Sequence, residues 1–324
     1  MRTRRDILKL GAALPAVSLA LLAAPSARAM PDPEIAGYIP VRGGRVWYRI
    51  NGADHLGGPR APLLVLHGGP GGNHRKLLPL TALAVERAVI FYDQLDCGHS
   101  DRPGDPANWT TERFISEIDS VRKALKLKRA ALLGHSMGGG WAGAYAVGRP
   151  SGLEAAVLSS PLISTSRWVA DNAVYRNRLP EDVRRILDEN EAAGTTDSSA
   201  YRAATQVFYD RHLCQSPCPV GDLLNDAPGF NEALYNYMWG PTEFTATGTL
   251  VEFDLTPRLA DIEAPTLFVC GEVDEATPAA CRDFAAMTPK GSFELIEGAA
   301  HTTYLEKRDD YLQTVRRFLA DAGV

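Results

Sequence analysis

Short, largely apolar runs recur along the chain at residues 62–66, 88–92, 130–133, 155–158, 266–270 and 293–296, broken only by Thr266 and Glu294. Their apolar character is continuous rather than alternating, which suits strands buried on both faces. Helical patterns separate them. Between 111 and 125, Phe114, Ile118, Val121 and Leu125 recur at spacings of 4, 3 and 4, the signature of one helix face. Residues 141–147 and 310–322 also read as helices. Strands alternating with helices predict an α/β fold whose sheet is mostly parallel and doubly wound. Residues 38–52 instead alternate and turn at Gly43-Gly44, which predicts an antiparallel hairpin at its start.

The strand rhythm breaks between 162 and 254. Pro180 opens a helix with Val183, Ile186 and Leu187 on one face, and Gly194 closes it. Residues 195–199 form a polar linker, 201–213 suit a further helix, and 235–244 are unusually aromatic. This stretch predicts a helical cap over the sheet's C-terminal edge. The expected organisation is a core in two parts, 30–161 and 255–324, with the cap at 162–254 between them.

Residues 1–29 stand apart. Arg4-Arg5 precede Ile7-Leu8-Lys9, an apolar stretch follows, and Ala27-Arg28-Ala29 ends it. A charged start, a short apolar core and an A-x-A site are expected of a cleaved export signal, and the paired arginines resemble a twin-arginine signal. A membrane anchor is the alternative. The apolar run is 15 residues, interrupted by Pro15, against about 20 for a bilayer span. Cleavage would leave no stable anchor and place the mature chain in a bacterial periplasm or outside the cell.

The 324 residues, 45% hydrophobic, suffice for one large domain with an insertion. The formal charge is −5, and removing the net +4 of residues 1–29 leaves −9. An acidic chain without a basic block argues against nucleic acid and anionic membrane as partners.

The candidate chemistry sits where the predicted strands end. Gly134-His135-Ser136-Met137-Gly138 is a G-x-S-x-G turn between a strand and a helix. Glycines two positions either side remove the Cβ atoms that would crowd so sharp a turn, which lifts the Ser136 hydroxyl above the sheet edge. His67-Gly68-Gly69-Pro70-Gly71-Gly72 follows the first buried strand, where backbone N–H groups can approach an oxyanion. The rival phosphate loop lacks its Lys-Ser/Thr pair. A serine hydroxyl needs a base, and the base needs an orienting carboxylate. Ser136, Asp274 and His301 follow the α/β-hydrolase order of nucleophile, acid and histidine, each beyond a predicted strand.

Five segments together resemble the proline iminopeptidase (prolyl aminopeptidase) family of α/β-hydrolase serine peptidases. They are the 67–71 loop, Asp93-Gln94-Leu95-Asp96-Cys97-Gly98-His99-Ser100, the Ser136 turn, Gly240-Pro241-Thr242-Glu243-Phe244 and Gly271-Glu272-Val273-Asp274-Glu275. The resemblance implies an α/β-hydrolase fold with a helical cap and a Ser136–Asp274–His301 triad. It implies an oxyanion site at the Gly69 and Met137 N–H groups and no cofactor. Glu243 and Glu275 would hold the substrate's free α-amine, and Tyr237 and Trp239 are expected to form the ring pocket. The substrate would be a small peptide or an amino-acid amide, with an ester or lactone as the alternative on the same scaffold. Asp96, His99 and Met137 depart from the family's usual glycine, arginine and aromatic residue, which bears on pocket shape.

There are five cysteines. Cys214 and Cys218 flank Gln-Ser-Pro, so a cap disulfide and two free thiols are both open readings. Cys270 reads as a core residue and Cys97 as a loop residue bordering the pocket. No Cys or His spacing suggests a metal site.

Overall fold

The computed structural model describes residues 31–215, 217–218 and 229–324, and the expected export signal lies outside them. Eight strands build one sheet among the described residues. They are β1 (Ile35–Val41), β2 (Gly44–Asn51), β3 (Leu63–Leu66), β4 (Val89–Tyr92), β5 (Ala130–His135), β6 (Leu153–Ser159), β7 (Thr266–Gly271) and β8 (Gly291–Ile296). Their order across the sheet is β1-β2-β4-β3-β5-β6-β7-β8. The β1–β2 hairpin joins antiparallel to β4, and all further neighbours are parallel.

The continuous apolar runs are explained by burial on both faces. In β3, Leu64 and Leu66 belong to one core cluster while Leu63 and Val65 belong to another. On the first face pack α1 (Thr111–Ala124) and α2 (Met137–Val147), with Phe114 stacked on Trp141 at 5.6 Å. The second face takes Leu77, Leu80 and Leu83 and, from the chain's last helix, Leu312, Val315 and Leu319.

Four helices, α3 (Thr165–Arg176), α4 (Glu181–Ala193), α5 (Ser199–His212) and α6 (Glu232–Met238), stand between β6 and β7. They bury a small core of their own around Leu179, Leu187, Tyr201 and Phe208. Ser164 and Asp254 pair as an isolated antiparallel bridge at the base of this insertion. Pro180 and a left-handed Gly194 bound α4, as the sequence predicts. After β7 come α7 (Pro278–Met287), α8 (Thr303–Glu306) and α9 (Arg308–Asp321). The 3-10 helix His74–Val85 carries no sequence signal that breaks through, because Pro79 lies inside it. No helix among the described residues is long and apolar enough to cross a membrane.

Cys214 and Cys218 form a disulfide with Cα atoms 5.4 Å apart, which settles the reading left open above. Cys270 is a buried core residue. Cys97 departs from expectation: it is fully buried in the core and does not border the cavity. Its loop folds back so that Asp93 and Cys97 pack inward, with the Asp93 carboxylate accepting from the His99 and His74 amides.

The sharp turn after β5 sets the strictest steric demand on the sequence. A Cβ at Gly134 would stand 2.1 Å from the Gly138 carbonyl oxygen, a backbone atom that cannot move aside cheaply. Gly134→Ala should therefore cost on the order of 3 kcal/mol, read as a fall in the urea midpoint. Gly143→Ala, in the following helix with only ordinary contacts at 3.4 Å and beyond, should instead gain about 0.5–1 kcal/mol.

Candidate active site

The sheet delivers its polar residues to one edge. The 67–72 loop follows β3, Ser136 follows β5, Ser160 follows β6, Asp274 follows β7 and His301 follows β8. Loops beyond the carboxyl ends of parallel strands are where such a sheet places ligands. A cavity of about 520 Å³ opens there, lined by Gly69, Lys76, Ser136, Tyr209, Glu243 and His301 among others.

Ser136 occupies φ 57°, ψ −125°, a region a non-glycine residue adopts only under constraint. Its amide donates to Ser159 O at 2.9 Å, and its carbonyl accepts from the Gly139, Gly140 and Leu162 amides. These bonds fix the turn from both sides. The Met137 and Gly69 amides stand beside it and donate to no protein acceptor among the described residues. Met137 begins α2, whose first N–H groups point toward any anion that forms there. Gly69 takes φ +123°, and a Cβ on it would come within 2.7 Å of two backbone nitrogens, so its amide orientation depends on glycine.

Asp274 is fully buried and accepts four hydrogen bonds. Oδ1 accepts from His301 Nδ1 at 2.8 Å and from the Ala276 amide at 2.8 Å. Oδ2 accepts from Ser160 Oγ at 2.6 Å and from the Gly271 amide at 3.1 Å. A carboxylate whose lone pairs are all engaged stays in one orientation and holds the imidazole in one tautomer. The His301 ring is wedged between His135, 4.6 Å away, and Trp168, 5.7 Å away and edge-on. Backbone bonds from His301 and Thr302 to His212 O and Leu213 O tie its loop to the end of α5 and the disulfide strap.

His135 flanks the serine in sequence. Its ring lies against His301, with Nε2 3.1 Å from the His301 carbonyl oxygen. Burial, reinforced by His301, pushes its pKa well below the ordinary value, so it is a neutral packing partner. Ser160 and Trp168 also escaped the sequence reading. Ser160, at φ 47°, marks itself only through the backbone.

Two acids share this site. Glu275, the neighbour of Asp274, is 0% exposed, and its Oε1 lies 3.5 Å from His301 Nε2. Neither of its carboxyl oxygens has a hydrogen-bond donor within the described protein. Burial drives its pKa well above the ordinary value, with the charges of Glu243 and Asp274 adding to the rise. Glu243 lines the cavity, and its amide donates to the Tyr209 hydroxyl at 3.3 Å. Burial raises the Glu243 pKa too, while His301 and Lys76 work against the rise. Two interacting acids in a dry site do not both ionise readily.

The aromatic expectations need correction. Tyr237 does not reach the cavity: it is 43% exposed and sits edge-on against Trp109 at 5.3 Å. Trp239 is 3% exposed but is taken up elsewhere, donating from Nε1 to Thr242 O and packing against Trp168. In α6 the face formed by Leu234, Tyr235 and Met238 turns inward, and this places Tyr237 on the outside. The aromatic residues that do line the cavity are Tyr209, Phe230 and Tyr304.

A mostly parallel eight-stranded sheet with a strained serine after β5 defines the chain as an α/β hydrolase, and the family model for the alpha/beta hydrolase fold matches residues 61–308. A proline iminopeptidase from Heyndrickxia coagulans is 42% identical over 285 residues, which cover 87% of this chain and 98% of that protein. Among solved structures, VinJ is similar with a TM-score of 0.83 and 34% identity, over 90% of this chain and 100% of that one. The proline iminopeptidase of Mycobacterium smegmatis gives a TM-score of 0.80 and 35% identity, over 89% and 99% of the two chains. The chain belongs to the proline iminopeptidase family of α/β-hydrolase serine hydrolases.

The Ser160 hydroxyl touches the triad at two points, Asp274 Oδ2 at 2.6 Å and the His301 carbonyl oxygen at 3.2 Å, and meets no reacting atom itself. Ser160→Ala should lower kcat about tenfold or more, the worth of one hydrogen bond to a charged group, with KM changed less than about twofold. Ser160→Gly relieves the backbone at φ 47° and should show the same kcat loss without loss of Tm. Steady-state kinetics beside thermal melts separate positioning from folding.

Proposed function

We propose that the protein is a serine exopeptidase that releases an N-terminal residue, proline by preference, from short peptides. The observation that carries this reading is Glu275. A buried carboxyl with no donor, near the half-buried Glu243 carboxyl and 3.5 Å from His301 Nε2, is costly unless a cation completes it. The α-ammonium of a peptide's first residue supplies that cation while the first peptide carbonyl lies at the nucleophile.

In this reading Ser136 Oγ attacks that carbonyl while His301 Nε2 takes the hydroxyl proton. Asp274 holds His301 through Nδ1 and stabilises the imidazolium. Negative charge collects on the carbonyl oxygen, where the Gly69 and Met137 amides receive it. His301 returns the proton to the leaving amine, the C–N bond breaks, and an acyl-enzyme remains on Ser136. Water, deprotonated by His301, attacks the ester and frees the amino acid and the serine. Glu243 and Glu275 bind the ammonium throughout. The cationic, apolar and twin-arginine character of residues 1–29 supports export as a folded protein, so the proposed site of action is the periplasm or the cell exterior.

The assignment is tested on aminoacyl arylamides with and without an N-acyl block. Free prolyl arylamide should be the best substrate, and blocking should abolish its turnover. Ser136→Ala should lose at least about a thousandfold in kcat. Glu243→Gln should raise KM for the free-amine substrate about 30-fold or more while sparing an N-blocked ester. Turnover of blocked substrates as fast as free ones would leave a serine hydrolase but remove the aminopeptidase.

A further inference from the structure

The Gly69 amide that stands beside Ser136 belongs to a peptide between two glycines. Neither Gly68 nor Gly69 has a Cβ, so local sterics leave that peptide freer to rotate than most. The Gly68–Gly69 bond is trans. Its carbonyl oxygen and its N–H therefore point in opposite directions and turn as one rigid plane. A group that grips the Gly68 oxygen also aims the Gly69 N–H. No backbone amide among the described residues donates to that oxygen. His67 Nδ1 lies 2.9 Å from it.

The tautomer of His67 follows from its other ring nitrogen. The Gln94 amide points at Nε2 from 3.0 Å, and an N–H can only donate, so Nε2 carries no proton. The ring is buried, which lowers its pKa and keeps it neutral. Its one proton then sits on Nδ1 and is given to Gly68 O. Although His67 lines the cavity, both nitrogens are spent on the protein, so it has no polar ring atom to offer a substrate. Gln94 holds the same residue a second time, its Nε2 donating to His67 O at 2.8 Å. The far end of the loop is fixed from the same place, where Asp93 Oδ1 accepts from the His74 amide at 2.8 Å. Two residues beyond β4 thus clamp the loop at both ends.

We propose that His67 is a positioning residue for the oxyanion: its Nδ1–H, held in that tautomer by the Gln94 amide, turns the Gly68–Gly69 peptide so that the Gly69 N–H faces the charge forming on the substrate carbonyl. This rests on the acyl-enzyme chemistry of the proposed function and adds what aims one of its two donors. It is independent of the leaving group and of the free amine, because amide and ester substrates form the same oxyanion. Without the ring proton the peptide can turn its oxygen toward the site, where it repels the charge that the N–H would receive.

The test compares His67→Leu with His67→Asn. Both remove Nε2 and leave the Gln94 amide unpaired, but only His67→Asn keeps a donor at the place of Nδ1. His67→Leu should lower kcat for p-nitrophenyl acetate and for prolyl arylamide about tenfold or more, part of what a whole oxyanion donor is worth, with KM changed less than about twofold. His67→Asn should recover most of that loss. The boronic acid analogue of proline takes Ser136 Oγ as a fourth ligand on boron, passes the serine proton to His301 and leaves negative charge at the oxyanion site. Its affinity should fall in His67→Leu by the same factor as kcat, while prolinol, which forms no oxyanion, should bind as before. Equal kcat in the two variants, or equal weakening of the boronic acid and prolinol, would overturn the proposal. Nitrogen NMR of ring-labelled histidine checks the tautomer in the wild type, with no variant to fold: a proton on Nε2 of His67 at neutral pH would overturn it equally. If the wild type cleaves the ester but not prolyl arylamide, and the two variants still differ on the ester, the aminopeptidase reading falls and this proposal stands.

Discussion

A carboxyl group sealed from water without a donor is among the most expensive groups a folded chain can carry, and Glu275 is one. Glu243 lines the neighbouring cavity, and its charge adds to the rise in the Glu275 pKa. Under the proposed function such an arrangement is a pre-formed cation receptor: the cost is met in folding, before any substrate arrives, and is recovered when an ammonium enters. Around it, Trp168, His135 and the end of α5 hold His301 in one orientation, which keeps the receptor and the base in fixed register.

The triad is made rigid by elements that do no chemistry. The four bonds that Asp274 accepts come from β7 and the loops beyond β6, β7 and β8, so the carboxylate ties neighbouring strand ends together. The Ser136 turn is fixed by bonds to Ser159 and Leu162 on the adjacent strand and its exit. A sheet buried on both faces cannot slide without exposing an apolar layer, so distances set at its edge hold. The inserted helices and the Cys214–Cys218 strap complete the wall over His301, through backbone bonds to His212 and Leu213.

The sheet was legible because its signals are backbone and burial signals. Continuous apolar runs announce strands covered on both sides, and glycines at fixed offsets around Ser136 announce a turn that admits little else. The structure brings Ser136, Asp274 and His301 to one edge, with Glu243 and Glu275 beside them. What stayed hidden depends on which way a side chain faces. An aromatic-rich segment suggested Tyr237 and Trp239 as pocket walls, yet the turn of α6 sends Tyr237 outward and Trp239 into the packing against Trp168. The spacing of Leu234, Tyr235 and Met238 held that signal, though a helix so short expresses it weakly. Ser160 and His135 carry none: a serine after a strand and a histidine beside the nucleophile are common, and only distances give them meaning.

The central claim is that a proton held by the two acids leaves when the substrate ammonium arrives. Calorimetric titration of prolinamide into the Ser136→Ala enzyme near neutral pH, in buffers of different ionisation heat, measures that proton directly. Both acids have pKa values raised by burial, so the empty site holds its proton to a higher pH than an ordinary carboxyl does. The account predicts release of about one proton per bound amine, sinking toward zero as the pH rises above the raised values. Tight binding with no proton release at neutral pH, or no binding of the free amine at all, would contradict it.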